Sequence, residues 1–184
     1  MEIKDGIRII LKEINSSLSK VKKTDVNKLI KEILKAKRIF LSGQGRSGLI
    51  AKTFAMRLMH LGFEVYVAGE TITPGIENGD LLIACSGSGE TEVTFHMAEV
   101  ARRYGAKVVS LTANPNSVIV NVSDLVVGIP APFKGKIGKI GSKQYGGSLF
   151  EQGLFLMLEA VILILIKKLK KSPRELWKKH TKLE

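Results

Sequence analysis

Six consecutive residues, Ser86-Gly87-Ser88-Gly89-Glu90-Thr91, combine three hydroxyls with two glycines. They directly follow the apolar run Leu81-Leu82-Ile83-Ala84-Cys85 and open a polar helical pattern. A glycine lets backbone approach a ligand closely, and N–H groups at a helix start favour an anion. The segment therefore reads as a phosphate cradle with no lysine and no metal ligand of its own. N-capping of the next helix is the plainer use of such hydroxyls, but one hydroxyl suffices for a cap. A serine-hydrolase elbow needs G-x-S-x-G, and Ala84 and Ser86 stand where glycines would be required.

A second glycine loop, Gly43-Gln44-Gly45-Arg46-Ser47-Gly48, follows the apolar run Ile39-Phe40-Leu41. It matches G-x-G-x-x-G, and Glu70 lies after the next apolar run, where a ribose-binding acid would sit. That spacing admits a nicotinamide dinucleotide. The hydroxyl-rich cradle argues for a smaller ligand, because a dinucleotide does not need one. A sugar phosphate uses both loops, one for the phosphate and one for the sugar hydroxyls. Gly45, Arg46 and Ser47 then join the cradle residues Ser86, Gly87, Ser88, Gly89, Glu90 and Thr91 as candidate substrate-binding groups.

Glu151 is the candidate base. It stands near the start of a long apolar segment, just after Gly146-Gly147-Ser148. A carboxylate there can complement the helix dipole or face a crevice as a general base; the residues alone leave both readings open. His60 falls thirteen residues after Ser47 on one helical pattern, ~20 Å along it. It is a candidate catalytic group for a neighbouring subunit's site, with a structural or surface histidine as the alternative. His96 and His180 are scattered and Cys85 is the single cysteine, so no metal site is expected.

These residues need elements to position them. Ile3, Ile7, Ile10, Ile14, Leu18 and Val21 fall at helical spacing, as do Val26, Leu29, Ile30, Ile33 and Leu34 behind Thr24-Asp25. Two helices thus precede the first strand. Helices are expected over about 47–61 and 90–104, closed by Gly62 and Gly105. The strands 39–41, 65–67, 81–84, 108–111 and 125–127 are short and apolar on both faces. That pattern predicts an α/β fold, a three-layer αβα sandwich with a five-stranded parallel sheet covered on both sides, and we read the sheet in the flavodoxin-like order 2-1-3-4-5. In that order the first and third strands are neighbours, and both glycine loops sit at their carboxyl ends. Residues 1–36 are read as N-terminal helices, 37–130 as the sheet core, 131–147 as a loop and 148–184 as C-terminal helices, together one domain.

With 184 residues, 45% of them hydrophobic, the chain can bury a substantial core. The formal charge is +12, with lysines crowded at both ends. Only Trp177 interleaves the C-terminal lysines, so no base-stacking surface and no nucleic-acid partner is expected. The single cysteine fits a reducing cytoplasm, and no signal peptide is visible. The apolar stretch Leu154 to Ile166 contains Glu159 and is shorter than the ~20 residues a bilayer span needs, so it is read as a buried helix and no membrane partner is expected.

Several blocks carry a family resemblance. They are Gly45-Arg46-Ser47-Gly48, the run from Phe54 to Gly62, Gly69-Glu70-Thr71, Ser86-Gly87-Ser88-Gly89 with Thr91, and Ser148-Leu149-Phe150-Glu151-Gln152. In this order the chain resembles the SIS (sugar isomerase) domain family and, within it, the 6-phospho-3-hexuloisomerases. The resemblance implies cofactor-free isomerisation of 3-hexulose 6-phosphate to fructose 6-phosphate, a substrate contact at Ser47, phosphate contacts from Ser86 to Thr91, and Glu151 as proton acceptor. It also implies a homotetramer. An arabinose 5-phosphate type isomerase and a non-catalytic sugar-phosphate-binding module are the alternatives within the same family. One departure is Tyr145-Gly146, where the family usually has Pro-Met.

Overall fold

The computed structural model describes residues 1–133, 141–180 and 182. Two amphipathic helices come first, α1 (Ile3–Leu18) and α2 (Lys23–Lys35). Then β1 (Ile39–Gly43), α3 (Gly45–Leu61), β2 (Val65–Val67), β3 (Leu81–Cys85), α4 (Glu92–Arg103), β4 (Lys107–Thr112), α5 (Val118–Asn121) and β5 (Leu125–Gly128) build the sheet and its crossovers. The long helix α6 (Ser148–Lys168) and the short α7 (Pro173–Lys178) close the chain. Of the loop expected over 131–147, residues 134–140 lie outside the described residues.

All strand pairs are parallel, and the order is β2-β1-β3-β4-β5, the flavodoxin-like order expected. The strands alternate their side chains between two cores. Ile39, Leu41, Leu81, Ile83, Cys85, Val109, Leu111 and Val127 share one with α1, α2, α3 and α6. Phe40, Leu82, Ala84 and Val108 share the other with α4 and α5. Period-two alternation puts neighbours on opposite faces; a sheet apolar on both must be covered twice.

The structure departs from the sequence reading in two places. α5 is a single turn, too short to leave a periodic signal. α6 spans Ser148–Lys168, the extent read from the sequence, and its 21 residues are long and apolar enough by themselves to cross a bilayer, so the shortness of the Leu154 to Ile166 stretch does not exclude a span. Here it is a core helix: Phe150, Leu154, Leu158, Val161 and Leu165 are buried. It packs against α1 and α3, and an Arg57–Glu159 ion pair of 3.4 Å ties it to α3.

Candidate active site

The β1 and β3 strands end side by side, with Gly43 in register with Cys85. Both glycine loops therefore open into one crevice at the carboxyl edge of the sheet. Backbone is packed against backbone at its floor. A Cβ on Gly48 would lie 2.6 Å from the Gly43 carbonyl oxygen, closer than such contacts allow. Only glycine lets α3 start so near the end of β1.

The hydroxyls of the second loop build the loop itself. Ser86 Oγ accepts from the Gly89 N–H at 3.0 Å and lies 3.0 Å from Thr91 Oγ1, while Ser88 Oγ accepts from the Glu90 N–H at 3.2 Å. Among the described residues, no N-cap side chain caps α4, α3 or α6. This disposes of N-capping as the purpose of the three hydroxyls. The amides of Gly87, Ser88 and Thr91 carry no hydrogen bond among the described residues. Free N–H groups beside an uncapped helix start are what an anion requires.

The segment after β4 buttresses the cradle, and the sequence reading missed it. Asn114 Nδ2 donates to the Ser88 carbonyl at 3.1 Å, and the Ser117 hydroxyl donates to the Asn114 carbonyl at 2.8 Å. Glu90, a candidate contact, instead accepts from the Val118 N–H at 3.3 Å. Gly89 has φ +68° and faces Ser117 so closely that no Cβ fits, so both backbone and space demand glycine there. The Asn114-Pro115-Asn116-Ser117 cluster is a turn signal in the sequence, but nothing local reveals that it touches Ser88.

The first turn of α6 completes the crevice. A Cβ on Gly87 would meet the Phe150 ring at 2.9 Å, so that turn packs directly onto the cradle. Arg46 reaches over from the β1 loop: its Nη1 donates to Ser148 Oγ at 3.1 Å, and its Nε stands 2.9 Å from Glu151 Oε2. The Glu151 side chain is only 15% exposed. Its Oε2 is buried and, among the described residues, receives no aligned hydrogen bond, the Arg46 contact being an ion pair off the hydrogen-bond line. The structure thus assembles Gly45, Arg46, Ser47, the Ser86–Thr91 loop and Glu151 in one place. Glu70 pairs with Lys52 of α3.

His60 stands apart. It lies in the last turn of α3 and stacks on His180 at 5.3 Å, which in turn stacks on Trp177 at 5.0 Å. Burial, with His180 and Arg57 nearby, pushes its pKa below the ordinary value of 6.5. Within one chain it does not meet Glu151. Cys85, at the end of β3, is fully buried, and burial pushes its thiol up to about 12; it packs and is not a nucleophile.

The SIS domain model matches residues 32–136. A 3-hexulose-6-phosphate isomerase of Mycobacterium gastri is 42% identical over 183 residues, spanning 100% of this chain and 92% of that protein. A protein of the same name in Bacillus subtilis (strain 168) is 40% identical, spanning 100% of both. A solved structure from Methanococcus jannaschii, for which a function of 3-hexulose-6-phosphate isomerase was inferred, superposes with a TM-score of 0.85 at 33% identity, covering 98% of this chain and 99% of that one. A helix-flanked parallel sheet, a hydroxyl and glycine cradle at its switch point, and similarity along the whole length agree: the chain belongs to the SIS domain family.

Proposed function

We propose that this chain is a cofactor-independent isomerase that interconverts 3-hexulose 6-phosphate and fructose 6-phosphate. The observation that carries the chemistry is the Glu151 carboxylate, largely buried in the first turn of the helix that packs on the loop with free amides. The relatives that share this chain's full length supply the substrate. A 3-keto hexose 6-phosphate has its O6 blocked by phosphate, and closure through O5 would give a four-membered ring. The forward substrate is therefore open-chain and needs no ring-opening acid.

In this reading the free amides of the Ser86–Thr91 loop hold the phosphate, and Ser47 and the Gly45 backbone contact the sugar. The phosphate supplies binding energy remote from the reacting carbons and holds C2 near the base. Glu151 takes the C2 proton. The C2–H electron pair becomes the C2–C3 double bond and the C3 carbonyl electrons move to O3, giving a cis-enediolate. A proton passes from O2 to O3, the C2 carbonyl forms, and Glu151 returns its proton to C3. Arg46, already beside Glu151, and the β1-loop amides stabilise the oxyanion that develops.

His60 is proposed to serve the crevice of a neighbouring copy, because its own lies ~20 Å away along α3. A homotetramer would provide such a neighbour. Apolar side chains exposed on α1 (Ile3, Ile7, Leu11), α3 (Met56, Met59) and α6 (Phe155, Leu163) are consistent with contacts between copies.

The test is a coupled assay for fructose 6-phosphate formation, run beside arabinose 5-phosphate. Glu151→Gln is expected to keep sugar-phosphate binding and lose about 10²–10⁴-fold in turnover. Near-normal turnover in that variant removes Glu151 from its role. Preference of the unaltered protein for arabinose 5-phosphate removes the substrate assignment.

A further inference from the structure

Glu13 lies on α1, remote in sequence from every group in the crevice, yet both its oxygens are engaged with the chain that leads into α6. Oε2 accepts from Ser142 Oγ at 2.7 Å and from Gln144 Nε2 at 3.0 Å, and Oε1 accepts from the Lys143 N–H at 2.8 Å. Among the described residues, no other residue outside the segment hydrogen-bonds to 142–144.

Apolar packing does not hold this segment. No residue from Gly141 to Gly147 is buried. Beneath it lies a cavity of about 830 Å³, lined by Arg8, Lys12, Glu13, Ser17, Lys143 and Leu149 among others. The link from there to α6 is Tyr145-Gly146-Gly147, which is exposed at Tyr145 and has no side chain at the next two positions. Such a link left untethered samples many conformations. Its position matters to the base. Glu151 Oε1 lies so close over Gly147 that a Cβ there would stand 3.2 Å from it, and the Glu151 N–H donates to the Gly147 carbonyl at 3.0 Å.

We propose that Glu13 is a positioning residue for Glu151: its carboxylate straps segment 142–144 to α1 and so fixes where α6 begins and where the base sits. The inference rests on the reading of Glu151 as the base. Glu13 itself touches no substrate. The strap is charge-assisted at all three bonds, the strongest class such a segment can make.

The experiment compares Glu13→Ala and Glu13→Gln with the unaltered protein, by steady-state kinetics and by amide hydrogen exchange at residues 145–152. Glu13→Ala is expected to lower kcat about tenfold or more with KM within about twofold, since a misplaced base costs turnover and leaves the phosphate cradle intact. Exchange in the first turn of α6 should rise in parallel. Glu13→Gln keeps a carbonyl acceptor for the Lys143 N–H and should recover part of the lost kcat. If Glu13→Ala does not fold, the surface pair Ser142→Ala with Gln144→Ala removes two of the three bonds and should show the same kcat loss. Unchanged kcat in a folded variant, or a loss confined to KM, overturns the proposal. Glu151→Gln in the same assay keeps the two readings apart: if that variant turns over normally, the base assignment fails, and the exchange data still decide whether Glu13 holds the start of α6.

Discussion

At the residue scale the crevice couples a cation to the carboxylate proposed as the base. Arg46 is more than half exposed, yet it binds both Ser148 and Glu151. It therefore ties the β1 loop to the first turn of α6. Arg46→Met is expected to raise KM about tenfold and to lower kcat as well, because one side chain contributes to anion binding and to placement of the base. A change in KM alone, measured with 3-hexulose 6-phosphate, would reduce Arg46 to a binding contact. The sequence makes Arg46 visible as part of a glycine loop, and Glu151 visible as a helix-start carboxylate. Their pairing across 105 residues is a tertiary fact, and no periodicity reports it. The Glu13 strap is hidden for the same reason.

At the element scale the sheet was the most legible part, because five short runs apolar on both faces leave few arrangements. α5 was not legible, since one turn shows no period. The close approaches were half legible: the glycines stand out, while what they avoid does not. Gly48→Ala should destabilise the fold by about 1–3 kcal/mol by pushing α3 off the end of β1, read as a lower denaturant midpoint at unchanged slope. Gly62→Ala is the contrast: nothing lies within 4 Å of its Cβ position, so only its φ of +99° resists the change. The α3–α7 contact is expected to answer to pH. His60 has a folded pKa below 6.5, so the unfolded or undocked form binds the proton more tightly. The stacked arrangement is then fully favoured above that value and weakens as pH falls through it. Trp177 is the single tryptophan and stacks on His180. Its fluorescence should change as pH drops below about 6.5, and His60→Ala should remove that transition.

At the scale of the whole molecule, the charge of +12 favours capture of an anionic substrate, but the placement of His60 decides more. A histidine that its surroundings keep neutral near pH 7 can carry a proton, and this one stands at the wrong end of α3 for its own crevice. If it acts on a neighbour's substrate, each complete site draws Glu151 from one chain and His60 from another. Glu151→Gln and His60→Asn would then each be inactive alone, for different reasons. When mixed and allowed to exchange subunits, hybrid pairs rebuild one intact site from the Glu151 of the second variant and the His60 of the first. Random pairing predicts recovery of about a quarter of full activity. A charge introduced at Leu163, which is 69% exposed on α6, supplies the control: if that surface joins the copies, Leu163→Glu lowers the mass in solution and suppresses the recovery. Recovery absent under conditions where exchange is demonstrated by mass would leave His60 a structural partner of His180, and would place all of the chemistry within one chain.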